Sequence, residues 1–267
     1  TLSMVKEVQA RRVALVSLKA ENAVIEQHVR EGGIGLIVEG EPGERQVLKL
    51  RDGGETYVIA EAGDLPATLG GRAQHNVFNA LVASGLSYGL GLSVEQITAG
   101  LETFHNHFSS NPGRFNVFEE GDFTVIIDFA HNPEGVEAAC DTVARMEVTG
   151  RCWVVLGTTG NRHGDHIKRA AQVVAGRFDR YLCTRDNTYS LEDDGVRGFP
   201  AEEIPKRLAD ELRKQGVEEA QVEEVSEFRA AVALGLDSCA EGDLLLIFTD
   251  EYDWCHERIM ELHTRTV

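Results

Sequence analysis

The sequence holds 267 residues, 42% apolar and 26% charged, an ordinary balance for a chain that folds as one large domain or two modest ones. A formal charge of −18 argues against an extended basic surface for nucleic acid and disfavours anionic membranes. The excess negative charge reads first as a solubility feature, and its sign also suits a ligand that is cationic.

The first half opens on a strand at Arg12 to Leu18 and a helix at Asn22 to Arg30 that stops at Gly32-Gly33. Ile34 to Val38 is a second strand. Gln46 to Leu50 and Thr56 to Ile59 read as a hairpin around Asp52-Gly53-Gly54. After a loop at Glu61 to Gly71, a helix spans Ala73 to Tyr88, with Val77, Leu81, Ser84 and Tyr88 on one face. Ser93, followed by Gln96, caps a helix to Phe104. The polar stretch His105 to Pro112 reads as a linker, dividing the chain into residues 1–110 and 111–267.

Beyond it, strand and helix alternate. Strands are expected at Phe115–Phe118, Val125–Asp128, Cys152–Leu156, Arg180–Thr184, Gln221–Glu224 and Leu244–Phe248. Helices fill Pro133–Met146, Asp165–Arg177, Pro200–Gln215, Ser226–Ser238 and Asp250–Leu262. That order predicts an α/β fold: a Rossmann-like, mainly parallel sheet with flanking helices and right-handed crossovers. Cys140, Cys152, Cys183, Cys239 and Cys255 are scattered, without C-x-x-C or Cys/His ligand spacing. They read as reduced core thiols of a cytoplasmic protein, with no metal site. No apolar run approaches the ~18 residues of a membrane span.

The densest chemistry is Asp128-Phe129-Ala130-His131-Asn132-Pro133, placed where an apolar strand meets a helix. Open α/β sheets bind ligands at this edge. Asp128 can accept from ribose hydroxyls, while His131 and Asn132 can donate to phosphate. Equally, Asp128 and Asn132 can simply cap the helix. Asn76 and Asn79, three apart on one helix face, pair a donor with an acceptor as adenine's edge does, or else cap the helix start. Arg114, after the turn residues Pro112-Gly113, can fork onto phosphate or lie at the surface. His163 and His166 lack a third ligand and read as surface histidines.

Four segments together resemble the Mur ligase superfamily, most of all its cyanophycin synthetase branch. They are Pro66-Ala-Thr68-Leu69-Gly70-Gly71, Asn76-x-x-Asn79-Ala80-Leu81, Pro112-Gly113-Arg114-Phe115-Asn116, and Asp128 to Pro133 with Phe129 where the branch has Tyr. The resemblance implies an ATP-dependent ligase that forms an amide through an acyl phosphate. It assigns Asn76 and Asn79 to adenine, and Arg114, Asp128, His131 and Asn132 to ribose and phosphate, on either side of the linker. Residues 1–110 would be the last part of a Mur-type central domain and 111–267 the family's C-terminal domain.

Gly157 to Lys168 is similar to a family loop near the acceptor, G-x-x-G-x-R-D-x-x-K, with Arg162 and Lys168 kept and the aspartate displaced to Asp165. Asp186, Asn187 and Arg197 fall where the family selects its incoming amino acid. The acidic run Glu192-Asp193-Asp194 beside them would favour a basic one or would be a solvated loop. The chain holds no G-x-x-G-K-[ST] phosphate loop, nor the family's Mg²⁺-binding glutamate and carboxylated lysine. It is therefore expected to be the C-terminal part of a ligase, with ATP and an amino acid or peptide as partners, Mg²⁺ ligands elsewhere, and possible homo-oligomers. The alternative is a non-catalytic, ligase-derived module for nucleotide binding or assembly.

Overall fold

The computed structural model describes residues 10, 12–119, 121–157, 164–185 and 198–266. The chain divides into two compact units, Thr1–His105 and Asn106–Val267.

In the first unit, β1 (Ala14–Ser17) leads through α1 (Ala23–Arg30) to β2 (Ile34–Glu39), β3 (Val47–Asp52) and β4 (Glu55–Glu61), and then to α2 (Gln74–Gly89) and α3 (Val94–Thr103). The sheet runs β1-β2-β3-β4, with β1 parallel to β2 and the remaining pairs antiparallel. Asn22 starts α1 by accepting from the N–H groups of Val24 and Ile25 at 3.1 and 3.3 Å. The β3–β4 hairpin turns on Gly53 and Gly54 alone. Both have positive φ, the conformation a two-residue turn matching strand twist requires. Ser93 and Gln96 close a reciprocal capping box on α3. Leu36, Leu48 and Leu50 meet Val77 and Leu81 of α2 in the core, all of them fully buried.

The second unit carries β5 (Asn116–Phe118), β6 (Thr124–Asp128), α4 (Pro133–Val143), β7 (Cys152–Leu156), α5 (Gly164–Val174), β8 (Arg180–Cys183), α6 (Ile204–Lys214), β9 (Val222–Glu224), α7 (Phe228–Ser238), β10 (Leu244–Phe248) and α8 (Tyr252–Thr266). Its sheet order is β5-β6-β10-β7-β8-β9, parallel except for β5. β10 reads Leu-Leu-Leu-Ile-Phe and is buried throughout, as a central strand covered on both faces must be. Val125, Ile127, Val155, Leu245 and Ile247 pack with Phe228, Val232, Cys255 and Ile259 of α7 and α8. The expected mainly parallel α/β sheet is therefore present.

Element ends differ by a few residues. α4 stops at Val143 rather than Met146, because the N–H groups of Arg145 and Met146 bond three residues back and tighten the chain into a turn. The helix expected from Pro200 begins with a short 3₁₀ turn, Ala201–Glu203, before α6. The five cysteines are unpaired, with Cys140, Cys183 and Cys255 buried. Among the described residues no helix is long and apolar enough to cross a membrane.

Candidate functional site

β6 delivers Asp128 to the C-terminal edge of the second unit's sheet. Its main-chain carbonyl accepts from Thr249 N–H at 2.9 Å, tying it to the end of neighbouring β10. Its carboxylate accepts from Ala130 N–H at 2.7 Å, which closes an Asx turn and does not cap α4. Burial pushes the carboxyl up to about 6, although N–H bonds from Ala130 and Phe115 and the charge of Arg114 pull the other way. Asp128 is thus an acid poised close to neutrality at the C-terminal edge of a mainly parallel sheet, where open α/β folds bind ligands.

Asn132 is the N-cap of α4. Its Oδ1 accepts from Gly135 N–H at 2.7 Å, and Pro133 follows at the first helical position. The side-chain oxygen of this predicted phosphate ligand is therefore committed to the helix, which leaves Nδ2 as its only side-chain donor. His131 Nδ1 lies 3.0 Å from the Phe129 carbonyl, so Nδ1 carries hydrogen. The His131 ring packs against Phe129 at 4.8 Å, and the Arg114 guanidinium lies 5.4 Å from the Phe129 ring centre. Both the cation and the imidazole thus neighbour the Phe129 ring.

The Arg114 turn owes its shape to its neighbours. Gly113 has φ +70°, and a Cβ there would sit 2.7 Å from the Tyr252 ring. Its carbonyl accepts from Phe129 N–H at 2.8 Å, joining the turn to the strand end. Phe115, fully buried, has φ +50°, a strained conformation for so bulky a residue. Sequence reasoning took Asn116 only as part of a motif. In the structure it is buried and bonds with both ends of its amide, a role that side-chain periodicity cannot reveal.

In the first unit, Ala73 is the N-cap residue of α2, and it has no side-chain bond to offer. Neither Asn76 nor Asn79 caps the helix. Asn76 Nδ2 donates to the Ala67 carbonyl at 2.7 Å, and Asn79 Nδ2 donates to Asn76 Oδ1 at 3.2 Å. Asn76 is half-buried and Asn79 exposed, so Asn76 orients while Asn79 presents an oxygen and a second N–H outward. Burial holds the imidazole of adjacent His75 below its ordinary range, which favours its neutral form.

Of the expected acceptor residues, Lys168 lies exposed on α5 and lines a cavity of about 800 Å³ with Phe199, Arg207, Glu211 and Lys214. Glu211 is buried at its wall, bonded by Gln172 and Gln215. Those bonds and the charge of Lys168 outweigh desolvation and hold its carboxyl below the usual range. Arg162, Asp186, Asn187 and Arg197 lie outside the described residues, as does the acidic run Glu192 to Asp194. Among the described residues no group of three or more His, Cys, Asp or Glu converges.

Residues 113–249 match the family described as Mur ligase, glutamate ligase domain. The chain is 30% identical to the cyanophycin synthetase of Crocosphaera subtropica over 248 residues, covering 93% of this chain and 27% of that protein. It spans about a quarter of the length of the cyanophycin synthetases it matches. Among solved structures, the UDP-N-acetylmuramate-alanine ligase MurC of Thermotoga maritima matches 88% of this chain and 46% of its own, at 20% identity and TM-score 0.57. The folylpolyglutamate synthase of Mycobacterium tuberculosis, solved with ADP and AMPPCP, matches 85% and 47% at 18% identity and TM-score 0.56. With half of its length matched to that family's domain and the fold shared, the chain belongs to the Mur ligase family.

Proposed function

We propose that this chain is the C-terminal portion of an ATP-dependent ligase joining a carboxylate to an amine. A substrate carboxylate oxygen attacks the γ-phosphorus of ATP and ADP leaves. The amine then attacks the acyl carbon, its proton is lost, and phosphate departs as the amide forms. The observation that carries the reading is the edge at Asp128, where a carboxylate poised near neutrality, a guanidinium and an imidazole meet in a family of ligases.

The residues divide the work as follows. Asp128, mostly ionised at pH 7, accepts from ribose hydroxyls. Arg114 donates to the phosphates, His131 Nε2 does so when the ring carries its second proton, and the N-terminus of α4, capped by Asn132, adds its dipole. Asn79, oriented by Asn76, reads the adenine edge. The phosphate loop and the Mg²⁺ ligands belong to another part of the ligase, because this sequence has no G-x-x-G-K-[ST] stretch. Lys168, with Arg162, Asp186, Asn187 and Arg197, serves the incoming amino acid or peptide.

Support comes from the cyanophycin synthetase relatives and from a fold neighbour solved with ADP and AMPPCP. The test is calorimetric titration of the chain with ADP. Binding that Asp128→Ala weakens about tenfold, the loss of roughly one charge-assisted hydrogen bond, is expected. Absence of binding at millimolar ADP, or binding indifferent to Asp128, overturns the reading.

A further inference from the structure

Three asparagines five residues apart, Asn106, Asn111 and Asn116, close a clasp around the Arg114 turn. Asn116 lies at its centre, 1% exposed. Its Oδ1 accepts from Gly113 N–H at 2.7 Å and from Arg114 N–H at 3.3 Å. Its Nδ2 donates to the carbonyls of Asn106 at 3.2 Å and Asn111 at 3.0 Å. Asn106 answers by donating Nδ2 to the Arg114 and Phe115 carbonyls, and Asn111 donates Nδ2 to Asn106 Oδ1 at 3.0 Å. The amide of Asn116 therefore has its oxygen doubly occupied and both its N–H groups used.

The clasp encloses the two abnormal backbone positions of the turn, Gly113 and Phe115, which have positive φ. A bulky residue persists in that conformation only where surrounding bonds over-determine it. Here the bonds come from the asparagines on one side and from the β6 edge on the other. The Phe115 N–H reaches Asp128, and Phe129 N–H reaches the Gly113 carbonyl. Arg114 itself is exposed and makes no ion pair among the described residues, so its placement depends on its backbone and on the Phe129 ring beside its guanidinium.

We propose that Asn116 is a positioning residue for nucleotide binding, fixing the backbone from which Arg114 projects by lashing the turn to residues 106–111. This rests on the nucleotide reading of Arg114 given above. Asn116 touches no ligand and acts through the turn.

The test is a double-mutant cycle on the affinity of the chain for a fluorescent ADP analogue, with amide hydrogen exchange at Gly113 and Arg114. Asn116→Ala is expected to weaken binding about tenfold and to speed exchange at those two amides while β7 and β10 stay protected. Added to Arg114→Ala, it should weaken binding by less than about twofold more, because the two side chains act as one. Asn116→Asp keeps an acceptor for the two N–H groups but sets an oxygen against the Asn106 and Asn111 carbonyls, so the lashing is lost and binding should stay as weak as in Asn116→Ala; a return to wild-type affinity would overturn the proposal. If binding is absent or Arg114→Ala leaves it unchanged, the nucleotide reading fails and this proposal falls with it. If Arg114→Ala weakens binding but Asn116→Ala multiplies the loss independently, or exposes the whole unit to exchange, Asn116 is only a stabiliser and the proposal alone is overturned.

Discussion

Trp153 donates its indole N–H to Oδ2 of Asp243 at 3.1 Å, joining β7 to the turn that enters β10. The same buried carboxylate accepts from Arg151 N–H at 2.7 Å, from the Arg151 guanidinium at 3.1 Å and from Ala240 N–H at 3.1 Å. Burial would raise its pKa, but these donors together hold the carboxyl below its usual range. Replacing Asp243 with Ala leaves Trp153 and two amides without their acceptor. A loss of about 3 kcal/mol in urea unfolding is expected, with tryptophan fluorescence as the probe. Because this carboxyl is depressed in the folded state, its stabilisation is present above pH 4 and disappears as acid protonates it. The difference between wild type and variant should therefore shrink on acidification.

Asp128 has the opposite sign. Its folded carboxyl titrates near 6, above the unfolded value of 3.8. Between those values the native chain binds the proton and the unfolded chain does not, so this group favours folding at low pH and costs stability as pH rises. Asp128→Asn should stabilise the chain by up to about 3 kcal/mol at pH 8, the equivalent of a shift of some two units, with no gain below pH 4. Nucleotide binding should weaken in the same variant. Thermal unfolding across pH 4 to 8 checks the first expectation, and an Asp128→Asn chain no more stable at pH 8 than the wild type would refute it.

Gly113 and Gly176 share positive φ, +70° and +74°, but differ in surroundings. A Cβ at Gly176 meets nothing within 4 Å, whereas one at Gly113 strikes the Tyr252 ring at 2.7 Å. Gly176→Ala should cost about 1 kcal/mol from backbone strain alone. Gly113→Ala should cost at least about 1 kcal/mol more and also shift the Arg114 turn. Equal midpoints in denaturant for the two variants would show that the Tyr252 contact yields freely.

Asn76 and Asn79 should separate structure from binding. Asn79 is exposed and, among the described residues, its side chain bonds only to Asn76, so Asn79→Ala is expected to leave the melting temperature within about 1 °C while lowering nucleotide affinity. Asn76→Ala also removes the bond to Ala67, and should lower both by roughly 1 kcal/mol. Paired melting and titration curves distinguish them.

The legible parts of this chain were those in which burial repeats along the sequence. Cys152–Leu156 and Leu244–Phe248 match their observed strands residue for residue, because uninterrupted apolar runs bounded by polar turns leave few alternatives. Ser93 announced its helix through capping chemistry, and Asn132 did so through the proline behind it, whereas Asn22 was read as the first helical residue and is the cap. Strand order was beyond reach: nothing local in Leu244–Phe248 says that it lies between β6 and β7. The asparagine clasp was equally invisible, since side-chain bonds to distant carbonyls have no period. Asn76 and Asn79 resembled caps only because the true helix start, Ala73, has no capping side chain to mark it.

The insertion of β10 between β6 and β7 has a consequence for how the protein is made. While a ribosome is still extruding this unit, β6 and β7 have no neighbour to join them, and each presents an open, apolar edge. The gap closes only when residues 244–248 emerge, about 120 residues after β6. Until then the second unit exposes both edges, and a stop between Asp128 and Leu244 is expected to leave that unit aggregation-prone rather than shortened but folded.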